Sequence, residues 1–434
     1  MVVGLLTMVV LVSGIESVDA FAATGGSQAG VTPTTIKVGV ALVDYSCIKQ
    51  FVDSVRVDED KEWTAYFDDI NANGGINGRT IVPVYDKYCP LGSAAPLAVC
   101  TKLTDDDKVF AIMGTFVDFS GDAQTCVAKQ HNTPLVTFEL TQAIIDKATP
   151  GLIVYPGTTN ERTSKVLLRL MKKSGRLKGK TVAVLGGSAE AAVVNGTVVP
   201  TLKKLGVKTG TTAILSINGT SDTSAAQAQL QSFIERWKGE HVNSIFLSGD
   251  EVSSKQFVTA IRAALPKVQL AVDNQDLRTS ARDLTKAGVK PNPYEGIFST
   301  AGPTPHEYDN GPNWKYCRDI YKKQTGEFPP NADQVLPAPG GKTLDKHGAV
   351  DTACQAIAMF QAIATKAGKN LTTATWAKAV NGYGPIVDRG GGQFASLHRG
   401  KYDVADSFRL EAFDSTLPGG GDWKALTKIE NIPG

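Results

Sequence analysis

Short runs of apolar and β-branched residues alternate with longer amphipathic stretches along most of the chain after residue 34. In the first third, strands are predicted at residues 36–42, 80–86, 109–114 and 134–138. Helices are predicted between them, at residues 55–71, 94–105 and 119–131. This succession of strand, helix and strand predicts a parallel sheet with helices on both faces.

The same pattern begins again after a fifth apolar run at residues 152–158. A helix is predicted at residues 161–174, and strands follow at residues 181–187, 211–217, 244–249, 269–273 and 296–300. A third section is helical at residues 313–325 and 347–367, and it has too few strands for a domain. The predicted fold class is therefore α/β, with two doubly wound parallel sheets in tandem and a third section that completes them. Ligands of such sheets bind beyond the carboxyl ends of the strands.

Composition narrows the class of protein. The 434 residues suffice for two domains, and the hydrophobic content of 42% with 20% charged residues is typical of a globular protein. The formal net charge is only +2, with acidic and basic residues interspersed. Because nucleic-acid binding depends on a concentrated basic surface, nucleic acid is not expected as a partner.

The N-terminus has the pattern of an export signal. Residues 1–18 are almost wholly apolar, and small residues follow at 19–23. The apolar run is shorter than the roughly 20 residues of a membrane-spanning helix. Residues 1–23 are therefore predicted to be a cleaved signal peptide that directs the protein to the periplasm or the extracellular space. A buried N-terminal strand or helix is the alternative.

Six cysteines also fit an oxidising compartment. They form no Cys-x-x-Cys motif, and the five histidines are scattered, so no metal site is expected. Six cysteines allow 15 pairings, which the spacing alone leaves open, with free buried thiols as the alternative. The cysteines are Cys47, Cys89, Cys100, Cys126, Cys317 and Cys354.

The usual enzyme motifs are absent from the sequence. Gly340-Gly341-Lys342-Thr343 resembles the end of a phosphate-binding loop, but Leu336 stands at the position of its first glycine. No Gly-x-Ser-x-Gly or His-Glu-x-x-His motif occurs. The sequence therefore predicts neither enzymatic activity nor a cofactor.

One stretch is more specific: DDINANGGINGRTIVPVYD, from Asp68 to Asp86. Gly74 or Gly75 can close a helix in the left-handed conformation, and Asn77-Gly78 favours a tight turn before the next strand. The passage from helix through GGINGR to strand resembles the type I periplasmic solute-binding proteins, in particular the leucine/isoleucine/valine-binding type that serves ABC importers. The resemblance extends over nearly all of the chain after Val31.

This resemblance implies two lobes joined by three crossings, with a small-molecule ligand between them and an ABC transporter permease as partner. Lobe 1 would comprise residues 31–157 and 303–381, and lobe 2 would comprise residues 158–302 and 382–434. All six cysteines would then lie in lobe 1. The pairs expected from the resemblance are Cys89–Cys100, Cys317–Cys354 and Cys47–Cys126.

The resemblance also places ligand contacts in the loops that follow the strands. The expected residues of lobe 1 are Asp44, Tyr45, Thr115, Phe116, Asp118, Phe138, Glu139 and Thr141. The expected residues of lobe 2 are Ser188, Glu190, Asp250 with Glu251 beside it, Asn274 and Gln275.

Amino-acid binders of the family have a small hydroxyl residue where this chain has Asp118, and small residues where it has Phe138 and Glu139. A desolvated carboxylate facing a ligand carboxylate would be costly, so a plain α-amino acid bound in the usual pose is disfavoured. The expected ligand therefore has a cationic or hydroxyl-bearing group near Asp118 or Glu139 and an apolar part near Phe116, Phe138 or Tyr45. Amino acids, amines, amides and aromatic derivatives are the candidates. Alternatively, Asp118 only caps the helix that follows it and Glu139 faces solvent.

The function expected from the resemblance is capture of a small polar organic solute by hinge closure and its delivery to an ABC importer. A ligand-sensing ectodomain or regulator of the same fold is the alternative.

Overall fold

Two parallel sheets, each with its own hydrophobic core, form the body of the protein. The computed structural model describes residues 28–50, 52, 54–118, 120–138, 140–217, 224–274, 277–332, 334 and 336–434. The predicted signal peptide at residues 1–23 lies outside the described residues.

The strands of the described chain are β1 (Thr35–Val43), β2 (Ser54–Val55), β3 (Thr80–Tyr88), β4 (Ala111–Gly114), β5 (Leu135–Thr137), β6 (Ile153–Val154), β7 (Thr181–Gly187), β8 (Lys208–Leu215), β9 (Ser244–Ser248), β10 (Gln269–Val272), β11 (Phe298–Ala301), β12 (Leu336–Ala338), β13 (Lys342–Leu344), β14 (Gly384–Pro385), β15 (Ser396–Leu397), β16 (Ser407–Asp414), β17 (Asp422–Ala425) and β18 (Glu430–Asn431).

The α-helices are α1 (Tyr45–Ile48), α2 (Glu59–Ala72), α3 (Ala94–Thr101), α4 (Asp122–Thr125), α5 (Gln142–Lys147), α6 (Asn160–Lys173), α7 (Ala191–Val193), α8 (Val199–Lys204), α9 (Ser224–Gly239), α10 (Lys255–Ala264), α11 (Leu277–Lys286), α12 (Pro305–Asp309), α13 (Pro312–Thr325), α14 (Lys346–Ala367) and α15 (Thr373–Asn381). Single π-helical stretches extend three of these helices, at Lys102–Asp106, Cys126–Gln130 and Val194–Val198.

The first sheet is wholly parallel and has the strand order β3-β1-β4-β5-β6. The second has the order β17-β16-β11-β10-β9-β7-β8, in which β7 to β11 are parallel and β16 and β17 add an antiparallel edge. The predicted α/β class with two doubly wound sheets is confirmed. We call the parts built on the first and second sheets the first lobe and the second lobe.

The glycine-rich passage after α2 has the predicted conformation. Gly75 has a φ of +71°, and a Cβ atom there would lie 2.0 Å from the carbonyl oxygen of Arg79, so only glycine fits. Asn77 and Gly78 also have positive φ, and the amide and carbonyl groups of Ile76 and Arg79 close the turn. Helix α2 therefore stops within a few residues of where β3 begins.

The chain crosses between the two cores three times. It leaves the first core after Val154 and returns to it at Tyr308, after Phe298 of the second lobe. The last crossing lies between Val404, which packs in the first core, and Phe408, which packs in the second lobe. The sequence-based bounds assigned residues 382–434 to lobe 2. We propose to move this boundary to about residue 405, because Leu397, Tyr402 and Val404 pack with the first core.

A buried ion cluster ties the first crossing to the third. The guanidinium of Arg162 donates to Asp403 Oδ1 at 3.0 Å and also to Asp406. The ammonium of Lys401 lies 3.2 Å from Asp406 Oδ1, and the backbone N–H of Thr159 donates to Asp403 Oδ2 at 3.1 Å. Both aspartates and Lys401 are buried.

Two of the three predicted disulfide pairs are wrong. The structure has Cys47–Cys89, Cys100–Cys126 and Cys317–Cys354, of which only the last was predicted. The physical reason is strand order. Because β1 and β3 are parallel neighbours with Val43 opposite Tyr88, the cysteines just beyond their carboxyl ends meet. This leaves Cys100 on α3 to pair with Cys126 on the neighbouring helix after β4.

We expect replacement of Cys100 and Cys126 together by alanine to lower the free energy of unfolding by about 3 kcal/mol. The bond closes a segment of 26 residues, and removing it increases the conformational freedom of the unfolded chain. Urea unfolding without reductant measures the difference, which should shrink when wild type and variant are both reduced. Non-reducing peptide mapping that joined Cys89 to Cys100 would contradict the observed connectivity.

We also expect Arg162→Met to lower the free energy of unfolding by about 3 kcal/mol, because two buried aspartates would then share only Lys401. Arg169→Met, on the same helix but exposed, is the matched control and should change stability by less than about 0.5 kcal/mol. Equal unfolding midpoints for the two variants would show that the cluster contributes little.

Candidate functional site

The predicted residues of the first lobe lie at the carboxyl edge of its sheet. Asp44 follows β1 and caps α1 by accepting a hydrogen bond from the Ser46 backbone N–H at 2.9 Å. Hydrogen bonding from the side chain and then the backbone of Ser46 lowers the pKa of the Asp44 carboxyl. Tyr45 and Thr115, which follow β1 and β4, line one small gap with Trp63 of α2. The sheet thus brings these predicted residues to one edge.

Tyr88, which the sequence reasoning missed, holds the loop after β4. Its hydroxyl donates to the carbonyl oxygen of Thr115 at 2.7 Å and accepts from the backbone N–H of Val117 at 2.8 Å. Its ring stacks on Phe116 with centroids 6.3 Å apart. Phe116 is only 1% exposed and belongs to the first core, so its ring is not at the surface.

Asp118 is occupied by its own loop. One carboxylate oxygen accepts from the backbone N–H and the hydroxyl of Ser120, at 3.1 and 2.6 Å. The other accepts from the backbone N–H of Ala123 at 2.8 Å, at the start of α4. These bonds are those of the capping alternative, and they leave Asp118 poorly suited to meet a ligand.

The loop after β5 presents an aromatic surface. The half-buried ring of Phe138 meets the ring of Tyr155 edge to face, with centroids 6.5 Å apart. Thr141 caps α5 by accepting from the Ile144 backbone N–H at 3.3 Å. Glu139, predicted beside them, lies outside the described residues.

In the second lobe, two glutamates converge at the carboxyl ends of β7 and β9. A Cβ atom on Gly187 would lie 2.2 Å from Glu251 Oε2 and 3.0 Å from Glu190 Oε2, so these oxygens are within about 5 Å of each other. Both Oε2 atoms are buried and have no hydrogen-bond partner among the described residues. We call Glu190 and Glu251 the acid pair.

Burial and mutual repulsion act on the acid pair. Burial raises the pKa of Glu190 to about 7, and the charge of Glu251 adds to this shift. Burial also raises the pKa of Glu251. Gly249, with a φ of +90°, has no side chain, and a Cβ atom there would lie 2.5 Å from the carboxyl carbon of Glu190. Two glycines therefore leave the space that the acid pair fills.

A third carboxylate, Asp273, supports this edge from below. It is buried and accepts from the hydroxyls of Ser164 and Ser248 at 2.7 and 2.9 Å and from the backbone N–H of Gly249 at 2.9 Å. Burial nevertheless raises its pKa. Because all three donors point to Asp273, its role is to fix the strand end that carries Gly249.

The other predicted residues of the second lobe do not meet at one place. Ser188 donates to the carbonyl oxygen of Leu215 at 3.1 Å, and Asp250 is exposed. Asn274 donates to Ser253 Oγ at 3.1 Å, and its Oδ1 atom is buried without a hydrogen-bond partner among the described residues. Gln275 lies outside the described residues.

The cavities in the described part of the chain include three with volumes of about 290 to 370 Å³. One, of about 320 Å³, lies beside Asp44 and Tyr45, and we call it the β1 cavity. Another lies at the crossings beside Arg162, and the third lies on the second lobe beside Arg262. None of these three joins predicted residues of both lobes.

The family profile described as periplasmic binding protein matches residues 63–403. The chain therefore belongs to this family, and its fold is that of the type I members, with two lobes and a hinge of three crossings. Members of the family bind small molecules for ABC transporters, which implies an exported protein. No helix among the described residues is both long and apolar enough to span a membrane.

Solved structures share the fold over nearly the whole chain. The leucine-binding protein of Thermotoga maritima is 14% identical with a TM-score of 0.62, covering 92% of this chain and 99% of its own. A solute-binding protein of an ABC transporter from Rhodopseudomonas palustris, in complex with 4-hydroxybenzoate, is 16% identical with a TM-score of 0.64, covering 92% and 98%. A fatty acid ABC transporter substrate-binding protein from Thermomonospora curvata is 18% identical with a TM-score of 0.62, covering 93% and 94%. The search of curated proteins gives no match.

We expect the melting temperature of the ligand-free protein to fall as the pH rises from 5 to 8, and Glu190→Gln to flatten this dependence. The pKa of Glu190 is raised from an ordinary value of 4.5 to about 7 in the folded protein. The stabilisation by its proton is therefore full below about pH 4.5 and is lost as the pH rises through about 7.

Differential scanning fluorimetry across this range measures the effect. Glu235→Gln, on the exposed surface of the same lobe, should leave the profile unchanged. A profile of Glu190→Gln that parallels wild type would contradict the assignment.

Proposed function

We propose that the protein is an extracytoplasmic solute receptor that captures a small polar organic ligand between its lobes and delivers it to the permease of an ABC importer. The single observation that carries the ligand assignment is the acid pair, two carboxylates with unpartnered buried oxygens at the carboxyl edge of the second sheet. Ligands of open α/β sheets bind at such edges. We further propose that residues 1–23 are the cleaved export signal.

The acid pair favours a ligand with a protonated amine or another cationic group. A cation placed between Glu190 and Glu251 would relieve their repulsion and give both orphaned oxygens a partner. An anionic group at the same place would add a third negative charge to a partly desolvated site. Amino acids and amines therefore fit better than simple organic acids.

The ligands of the similar structures sharpen this choice. Leucine carries an ammonium group, whereas 4-hydroxybenzoate and fatty acids do not. All three kinds of ligand carry a carboxylate, but only leucine also carries a cation. The acid pair therefore favours a leucine-like ligand over a hydroxybenzoate or a fatty acid. We infer an amine-bearing ligand whose apolar part faces the Phe138 and Tyr155 rings of the first lobe. Phe116 and Asp118 are not in this proposed set.

Binding would be coupled to hinge closure. A ligand that touches the acid pair of one lobe and the aromatic rings of the other stabilises the closed form by its difference in affinity for the two forms. The crossings already hold contacts between the lobes, since the Gln142 backbone N–H donates to Glu161 Oε2 at 2.9 Å. Arg409 of β16 also forms a bidentate ion pair with Glu307 of α12. The lobes would therefore rotate about residues that already contact each other across the crossings.

We expect a panel of amino acids, amines, amides and organic acids to raise the melting temperature only for compounds with a cationic nitrogen. For any such compound, Glu190→Gln and Glu251→Gln should each weaken binding by about tenfold or more, because each removes a charge-assisted hydrogen bond. Isothermal titration calorimetry measures the affinity, and small-angle scattering should show compaction on binding.

Glu235→Gln is again the matched control and should bind like wild type. Stabilisation by organic acids alone, with no effect of either acid-pair variant, would contradict the ligand assignment. Absence of compaction with a bound ligand would contradict the closure mechanism.

A further inference from the structure

Positive charge is concentrated in one segment of the second lobe. Residues 162–215 contain eleven lysines and arginines and one acidic residue, Glu190, whereas the whole chain has a formal net charge of only +2. The mixing of charges expected from the sequence as a whole therefore does not hold in this segment. Glu190 belongs to the acid pair at the carboxyl end of β7, on the order of 20 Å along the helix axis from the lysines that end α8.

Helices α6 and α8 cover the same side of the second sheet. Leu167 and Leu170 of α6 pack in one core with Leu202 of α8, and this core also contains Val184 of β7. The two helices also contact each other. Their outer sides therefore adjoin and form one surface of the second lobe.

The outer side of these two helices carries exposed cations. Lys165, Arg169 and Lys172 follow one another at intervals of four and three residues, so they share one face of α6. Lys203 and Lys204 lie in the last turn of α8. All five side chains are exposed, and we call them the basic face. Lys165 and Lys172 are about 10 Å apart along the helix axis, which is comparable with the Debye length, so these charges act together.

The charge of the basic face is not compensated by its neighbours. None of its five residues forms an ion pair with any residue that the structure describes. The buried ion cluster at the crossings is neutral as a whole, and Lys173 is paired with Glu430 at 2.7 Å. Glu161, in the first turn of α6, is the one acidic residue of these two helices. With Glu161 counted, the basic face keeps a net charge of +4.

The composition of the basic face suits an anionic lipid surface better than a folded protein. Four of its five cations are lysines, which are depleted from protein–protein interfaces, and such interfaces have an apolar and aromatic centre. None of the large exposed apolar side chains of the described chain lies at residues 160–215. Lysine is a flexible point charge, whereas fitted bidentate recognition uses arginine. Anionic headgroups attract clustered lysines through their summed charge and need no fitted surface.

We propose that the basic face binds the headgroups of anionic phospholipids and holds the protein against a membrane surface. The contact is peripheral and electrostatic, and it uses only the outer side of α6 and α8. The acid pair lies at the carboxyl ends of β7 and β9, so lipid binding needs neither the ligand nor hinge closure. A receptor held at the membrane would search a smaller space for its permease. This consequence rests on the function proposed above, whereas lipid binding itself does not.

The test is sedimentation of the mature chain with vesicles of phosphatidylcholine alone or with about 40% phosphatidylglycerol. We expect binding only to the vesicles with phosphatidylglycerol. Raising the salt concentration from about 0.1 to 1 M should release the protein, because the Debye length falls from about 10 to about 3 Å. The variant Lys165→Gln/Lys172→Gln/Lys204→Gln should bind about tenfold or more weakly, since each lysine near an anionic surface contributes to the affinity. Arg169→Gln/Lys203→Gln, which changes the two other cations, should also bind more weakly.

The matched control is Lys255→Gln/Lys267→Gln/Lys286→Gln, which removes three exposed lysines elsewhere on the second lobe and changes the net charge equally. It should bind the vesicles within about twofold of wild type, as should Glu190→Gln. The proposal is overturned if wild type does not bind the anionic vesicles, or if the control loses as much binding as the triple variant of the basic face. Binding to poly-glutamate or to a DNA duplex without binding to the vesicles would assign the face to another kind of partner and would also overturn it.

Discussion

The arrangement of the two lobes depends on the ion cluster that joins the first crossing to the third. Arg162 lies in the first turn of α6, the first helix of the second lobe, whereas Lys401 and Asp403 lie beside residues that pack in the first core. Two cations and two anions are buried together there, and separating them would leave charges without partners in a poorly solvated place. The crossings can therefore twist, but they cannot slide past one another without a large cost. We infer that the lobes move by rotation about this cluster.

The two edges differ in how far their described carboxylates are hydrogen-bonded. In the first lobe, Tyr88 bridges the loop after β4, and the carboxylate of Asp118 accepts three hydrogen bonds from its own loop. In the second lobe, the acid pair keeps buried oxygens that nothing in the described chain satisfies. An unsatisfied buried group is costly and persists where it serves a purpose. The second lobe thus provides the polar recognition in our proposal, and the first lobe provides a braced aromatic surface.

The hydrophobic periodicity of the sequence predicted the fold, but it did not predict which side chains contact one another. Strands such as β1 and β7 are long enough for their apolar pattern to locate them within one or two residues. Strands β2, β12 and β13 have two or three residues, too few for any period, and β2 ends at Val55, the first residue of the helix predicted at residues 55–71. The disulfide pairs depend on which strands are neighbours, a property of the whole sheet. Asp118 could equally have capped a helix or met a ligand, since both roles use the same side chain. The sequence could not show that Glu251, rather than the neighbouring Asp250, lies beside Glu190, because this depends on the conformation of the loop after β9.

The positions of the acid pair and the β1 cavity relative to the hinge have a mechanical consequence. In the first sheet, β1 is three strands from β6, and in the second sheet β7 is three strands from β11. With strands about 4.8 Å apart, both features lie on the order of 14 Å from the strands that lead into the crossings. A given rotation moves atoms in proportion to their distance from the axis, so these strand ends travel farther than the buried ion cluster. The acid pair therefore moves farther than the crossings when they twist, so the contacts that it gains on closure depend on what occupies the space between the lobes.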